Sequence, residues 1–154
     1  MELKKKYRSI VYKRRLTLPY DRALDCLTGA CPWPETQIGG EIRYTVDFYP
    51  DLESRVFLAY ERDSWLAPES GLRITFDDAI RFRTEELTLD SDPWGTALLG
   101  PDQVLMELKA PGAIPLWMVR LLTEMRLYKT SFSKYGTAYQ LLLEREWKGG
   151  KRYA

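Results

Sequence analysis

The sequence predicts an α+β domain with mostly antiparallel strands. Short segments alternate apolar and charged residues with period two, as half-buried strands do. Other segments space their apolar residues by three and four, as helices do. With 45% apolar and 29% charged residues in 154, the chain has the composition of one folded domain.

At the N-terminus Tyr7, Ile10, Val11, Tyr12, Leu16 and Leu18 are strand formers interleaved with charges. They predict a pair of strands turning near Arg8-Ser9. A short helix follows over Tyr20 to Leu27, with Ala23, Leu24 and Leu27 on its apolar face and Gly29 as its stop. Cys31-Pro32-Trp33-Pro34 is a loop. Ile38, Ile42 and Val46 mark a helix from Glu35 to about Phe48; Gly39-Gly40 weakens it and Tyr49-Pro50 ends it.

Strands are then expected at Arg55 to Asp63, Leu72 to Asp77, Ile80 to Thr84 and Val104 to Lys109. Asp77-Asp78 reads as a strand end and turn rather than a metal site. Leu89 to Pro101 reads as a loop. Pro115 suits the opening of a helix to about Met125, with Leu116, Val119, Leu122 and Met125 as its core stripe. Tyr128 to Lys134 reads as a strand and Gly136 to Trp147 as a last helix. The domain so drawn spans 1–147, and 148–154 is a flexible tail.

Histidine is absent, which excludes Ser-His-Asp and Cys-His catalysis, histidine-bound zinc and a histidine proton switch. Cys26 and Cys31 have no second cluster, so they read as reduced thiols rather than a zinc site or disulfide framework. The most apolar stretch, Ala113 to Leu122, is shorter than a membrane span and carries Arg120. No apolar signal core follows the basic N-terminus. The expectation is a soluble, cytoplasmic protein.

Charge is unevenly placed. The first 15 residues hold Lys4, Lys5, Lys6, Arg8, Lys13, Arg14 and Arg15 against Glu2 alone, a local +6 in a chain whose total is +1. Such asymmetry points to an anionic partner. Alternation sharpens it, because side chains two apart share a strand face. Glu2, Lys4 and Lys6 lie on one side, as do Val11, Lys13, Arg15 and Thr17. Arg73, Thr75 and Asp77 oppose Leu72, Ile74 and Phe76. Glu107 and Lys109 oppose Val104, Met106 and Leu108. Val56, Leu58, Tyr60 and Arg62 share a face, and so do Thr130, Phe132 and Lys134. If the sheet curls, Lys13, Arg15, Arg62, Arg73, Lys109 and Lys134 converge around one carboxylate, Glu107. Cations held close repel unless an anion sits among them, and phosphate oxygens match both arginine and lysine. Glu107 could then hold a divalent cation that bridges phosphates.

Glu2-Leu3-Lys4, Val11-Tyr12-Lys13-Arg14-Arg15, Tyr60-Glu61-Arg62, Leu72-Arg73-Ile74-Thr75-Phe76-Asp77, Val104-Leu105-Met106-Glu107-Leu108-Lys109, Pro115-Leu116-Trp117 and Ser131-Phe132-Ser133-Lys134-Tyr135 follow one another in an order that resembles a known family. The family is the VTC domain, the polyphosphate polymerase domain of vacuolar transporter chaperones and its bacterial relatives, within the triphosphate tunnel metalloenzymes. The resemblance implies an antiparallel β-tunnel, incomplete in this chain, with helices packed outside. It begins at the Glu2-Leu3-Lys4 strand and so implies the C-terminal part of a complete domain. The remaining tunnel strands would come from another chain or a second copy.

By the same resemblance the tunnel binds ATP or another triphosphate and a growing polyphosphate chain. Lys4, Lys13, Arg62, Arg73 and Lys134 would contact phosphates, with Arg15 and Lys109 as further candidates. Arg62, Arg73 and Lys134 would clamp the transferred phosphoryl group. Glu107 would bind a catalytic Mn²⁺ or Mg²⁺. The implied function is metal-dependent phosphoryl transfer from ATP to polyphosphate. The alternatives are a non-catalytic polyphosphate- or phosphate-binding module and a tripolyphosphate hydrolase. Nucleic-acid binding through Tyr7 and Tyr12 is disfavoured, because Trp33, Trp65, Trp94, Trp117 and Trp147 are scattered as core or loop anchors rather than gathered into a stacking platform.

Overall fold

The computed structural model describes residues 1–8 and 10–148, and the chain divides into two compact units, Met1–Glu53 and Ser54–Ala154. In the first unit the β-branched and aromatic residues of the basic N-terminus pair as expected. Strands β1 (Glu2–Tyr7) and β2 (Ile10–Arg15) form an antiparallel hairpin that sets Glu2 opposite Arg15 and Lys4 opposite Lys13. The chain reverses through Arg8, which takes the left-handed conformation at φ 47°.

Two helices follow, α1 (Tyr20–Thr28) and α2 (Gln37–Phe48). Gly29 ends α1 at φ 78°, where a side chain would strain the backbone. Thr36 caps α2 by accepting the Gly39 N–H at 3.0 Å. A Cβ on Gly39 would fall 2.3 Å from the Pro34 carbonyl oxygen, so close approach explains the glycine that weakens this helix on propensity alone. Cys26 and Ile42 are the buried apolar side chains here.

The second unit is built on one long strand. Strands β3 (Phe57–Ala67) and β4 (Leu72–Arg83) form a hairpin, and β5 (Thr96–Ala97) and β6 (Leu105–Lys109) both pair with β4, all antiparallel. Helices α3 (Leu116–Glu124) and α4 (Lys134–Lys148) complete it. The class is therefore α+β, and among the described residues neither sheet closes into a barrel.

Two expectations need correction. Leu72 to Asp77 and Ile80 to Thr84 are not two strands joined by an Asp77-Asp78 turn. They are one strand carrying a bulge: Glu61 pairs with Asp78 and Ala59 with Arg81, so Ala79 and Ile80 together face Tyr60. Ala79 absorbs the extra residue at φ 44°. Tyr128 to Lys134 is not a strand, since among the described residues no neighbour pairs with it, and Lys134 opens α4 instead. Ser133 starts that helix, its hydroxyl accepting the Gly136 N–H at 3.1 Å and its carbonyl the Thr137 N–H at 2.8 Å. The tail expected at 148–154 lies outside the described residues, apart from Lys148 at the end of α4.

The bulge decides which side chains share a face. Leu58 is opposite Phe82 and Arg62 opposite Asp77, and Leu58 and Arg62 are on the same side of β3. Ile80 and Phe82 therefore lie on the face of Asp77, Thr75 and Arg73. Ile80, Phe82, Leu98 and Ala138 form the core there, with Val56, Leu58, Leu99, Leu105, Phe132 and Leu141 packed around it. The opposite face near the hairpin carries Leu72, Ile74, Phe76, Trp65, Met106 and Leu108.

Within α3 the buried side chain is Met118; Leu116, Val119 and Met125 of the expected stripe are exposed. Of the tryptophans, Trp94 anchors a loop through Arg83, which stacks on it and on Phe57. Trp65 and Trp117 are about half exposed at 53% and 54%. Buried Arg83 also donates to the carbonyls of Glu85, Glu86, Asp92 and Trp94, so one side chain organises the segment between β4 and β5.

Candidate functional site

On the hairpin of the first unit, Glu2, Lys4, Lys13 and Arg15 share one face. Glu2 accepts from Lys13 at 2.8 Å and from Arg15 at 2.9 and 3.1 Å, and Lys4 lies 3.5 Å away. The hydrogen bonds from Lys13 and Arg15 pull the Glu2 carboxyl down to about 2. Three cations on one carboxylate leave this face positive. Lys4 and Lys13 are direct cross-strand partners, an arrangement that weakens a sheet. The other face lines a groove of about 310 Å³ with Leu3, Lys5, Tyr7, Tyr12, Arg14 and Glu41, where Arg14 donates to Glu41 at 2.9 Å.

In the second unit the polar face of β3, β4 and β6 brings together the remaining sequence candidates. Register places Arg62 beside Asp77, Ser64 and Glu107 on either side of Thr75, and Lys109 beside Arg73. Arg73 is exposed. Lys109 binds Glu107 at 3.0 Å. Arg73 and Lys109 repeat the like-charged cross-strand pairing of Lys4 and Lys13.

Asp77 is the residue whose role the sequence hides. It is fully buried at the border between the polar face and the core. Arg62 grips it in bidentate fashion, Nε to Oδ1 at 2.5 Å and Nη2 to Oδ2 at 2.7 Å, and Lys134 Nζ donates to Oδ2. Burial pushes the Asp77 carboxyl up, but the bonds from Arg62 and Lys134 outweigh it and hold the group below its ordinary range. The same hydrogen bonds raise Arg62 further above its ordinary value. The Tyr60 ring stands beside both cations, 4.9 Å from the Arg62 guanidinium carbon and 4.4 Å from Lys134 Nζ. Arg62 and Lys134 keep 35% and 18% side-chain exposure, so one side of each meets solvent.

Thr75 is the second residue that alternation alone does not single out. It is 5% exposed, and its Oγ1 is buried without a hydrogen-bond partner. A buried unpaired hydroxyl costs roughly 1–3 kcal/mol. It lies on the polar face between Arg73 and Asp77.

Among the described residues no group of three or more acidic or thiol side chains could hold a metal alone. Asp77 has both oxygens engaged. Glu107 is about half exposed, with Thr75 beside it. One carboxylate suits a hard cation that takes most of its ligands from phosphate oxygens and water. Glu107, already bonded to Lys109, would supply only one ligand to Mn²⁺ or Mg²⁺, so the residues do not make a site that stands by itself. No helix among the described residues is long and apolar enough to cross a membrane.

The family model described as the VTC domain matches residues 1–143. No curated protein and no solved structure matches the chain.

Proposed function

The chain belongs to the VTC domain family, whose domains are polyphosphate-related tunnel domains, and from that premise we propose that its basic sheet faces bind the phosphate chain of ATP or another triphosphate and of polyphosphate. The observation that carries this reading is the repeated like-charged pairing, Lys4 with Lys13 and Arg73 with Lys109. Each sets like charges opposite one another, met in part by Glu2 and Glu107, and a polyanion lying across it would offset the remainder.

In the reading we favour, the second unit clamps the transferring phosphoryl group. Arg62 and Lys134 present their solvent-facing donors, and Arg73 and Lys109 bind further along the chain. Phosphoryl transfer needs positioning and charge neutralisation more than covalent chemistry from the protein. With polyphosphate as acceptor the attacking oxygen is already ionised, so no histidine base is required. Glu107 is the residue that would hold Mn²⁺ or Mg²⁺, which when bound offsets charge between adjacent phosphates. On the hairpin, Lys4, Lys13 and Arg15 give a second phosphate-binding face. A binding module without turnover is the second reading, favoured by the Lys109 ammonium already bonded to Glu107.

A thermal-shift titration with tripolyphosphate tests binding, with and without Mn²⁺, at two salt concentrations. Ligand at ~100 times its dissociation constant adds about 2.7 kcal/mol, and the shift should shrink in high salt. No shift removes the reading. Incubation with ATP, polyphosphate primer and Mn²⁺ then separates its forms. Chain growth lost in Glu107→Ala, with metal-free binding retained, supports transfer; binding without growth supports the module, and phosphate release from tripolyphosphate supports hydrolysis.

A further inference from the structure

Asp77 stands between the two cations assigned to the phosphoryl group, and on charge alone it is misplaced. A carboxylate there removes one positive charge from a face that binds anions. If it acted only as a counter-charge, its loss would tighten polyanion binding.

The geometry points to a different role. We propose that Asp77 is a positioning residue, whose buried carboxylate fixes the Arg62 guanidinium and the Lys134 ammonium so that their free donors converge on one phosphate group. This inference rests on the phosphate-chain reading above. Arg62 spends Nε and Nη2 on Asp77, which holds the guanidinium plane and leaves Nη1 for a ligand. Lys134 spends one of its three N–H donors. The Tyr60 ring bounds both cations, so neither side chain swings freely.

The placement of Lys134 supports the same role. It is the first residue of α4, where the helix dipole disfavours a cation. The bond to Asp77 offsets that penalty and ties the start of α4 to β4, while Arg62 comes from β3. One buried carboxylate therefore joins the start of α4 to the β3–β4 hairpin at the point where Arg62 and Lys134 meet. An ordered pair loses less entropy on binding than two mobile side chains.

The test measures tripolyphosphate affinity by calorimetry at one salt concentration for the wild type, Asp77→Asn and Asp77→Glu, with circular dichroism and Tm as controls on the fold. Asp77→Glu keeps the charge and displaces the carboxylate by one methylene. A positioning role predicts that both variants bind about tenfold more weakly, although Asp77→Asn is the more cationic protein. It also predicts that neither change matters further in an Arg62→Gln/Lys134→Gln background. A counter-charge predicts tighter binding by Asp77→Asn and wild-type affinity for Asp77→Glu; that pattern overturns the proposal and leaves the phosphate reading standing. Loss of the fold in both single variants makes Asp77 a structural ion and also overturns it. No binding by the wild type overturns the phosphate reading, and this inference with it.

Discussion

Arg73 and Lys109 stand directly opposite one another on β4 and β6, two cations where opposite charges would stabilise the sheet. The pairing sets stability against binding at one position. Arg73→Glu should raise the unfolding free energy by roughly 0.2–1 kcal/mol by matching Lys109. It should also weaken tripolyphosphate binding by about tenfold or more, because the new charge repels phosphate. Denaturant unfolding and calorimetry on the same samples check both halves. Unchanged affinity would separate Arg73 from the site.

Thr75 offers the converse experiment. Thr75→Val keeps the shape and removes a buried hydroxyl that has no partner. The variant should be as stable as the wild type or more stable by about 1 kcal/mol. Its affinity for tripolyphosphate should match the wild type's, because the hydroxyl is shut off from solvent. A clear loss of stability would mean the hydroxyl is already satisfied, and the reasoning for Thr75 would fail.

Glu2 ties part of the hairpin's stability to pH. Its carboxyl is depressed from 4.5 to about 2 by the hydrogen bonds from Lys13 and Arg15. A folded-state value below the unfolded one stabilises above the unfolded value and is lost as pH falls through the folded one. Glu2→Gln should therefore be less stable than the wild type at pH 6. The gap should close between pH 4.5 and about 2, a window that thermal unfolding across the range can follow. A gap that persists at the acid end would assign the effect to packing.

Cys26 and Cys31 are free thiols whose sulfurs lie 3.3 Å apart. The hydrogen bond with Cys26 raises the Cys31 thiol above its ordinary value, followed by burial. Since the thiolate is the nucleophile, Cys31 should alkylate more slowly at pH 8 than an unperturbed thiol. Cys26→Ser changes the partner from a thiol to a hydroxyl and should speed the reaction. Peptide mapping after timed alkylation reads both rates, and equal rates would discount the interaction.

Much of this fold is legible from alternation. The basic hairpin, both N-terminal helices and the polar face of β4 follow from period and breakers. The failures share a cause. Tyr128 to Lys134 alternates like a strand, but a strand exists only where a neighbour offers its hydrogen bonds, and that partner is a tertiary fact. Asp77-Asp78 has the composition of a turn, yet Arg62 and Lys134 make Asp77 affordable in the interior. Lys134 reaches the expected cluster from a helix rather than a strand. Alternation could place the cations on faces; it could not reveal that one carboxylate holds two of them, or that Thr75 is buried among them.

The bulge at Ala79 works as a spatial reading frame. Before it, odd-numbered residues of β4 serve the polar side; after it, even-numbered residues continue that side as core. Straightening the strand with Ala79 kept would transpose Ile80 and Phe82 to the opposite side, exchanging interior for surface, whereas removing Ala79 would restore plain alternation and leave both in the core. The extra residue and the bulge are therefore bound to each other. Natural variation in this stretch should lose them together, and should not lose one without the other.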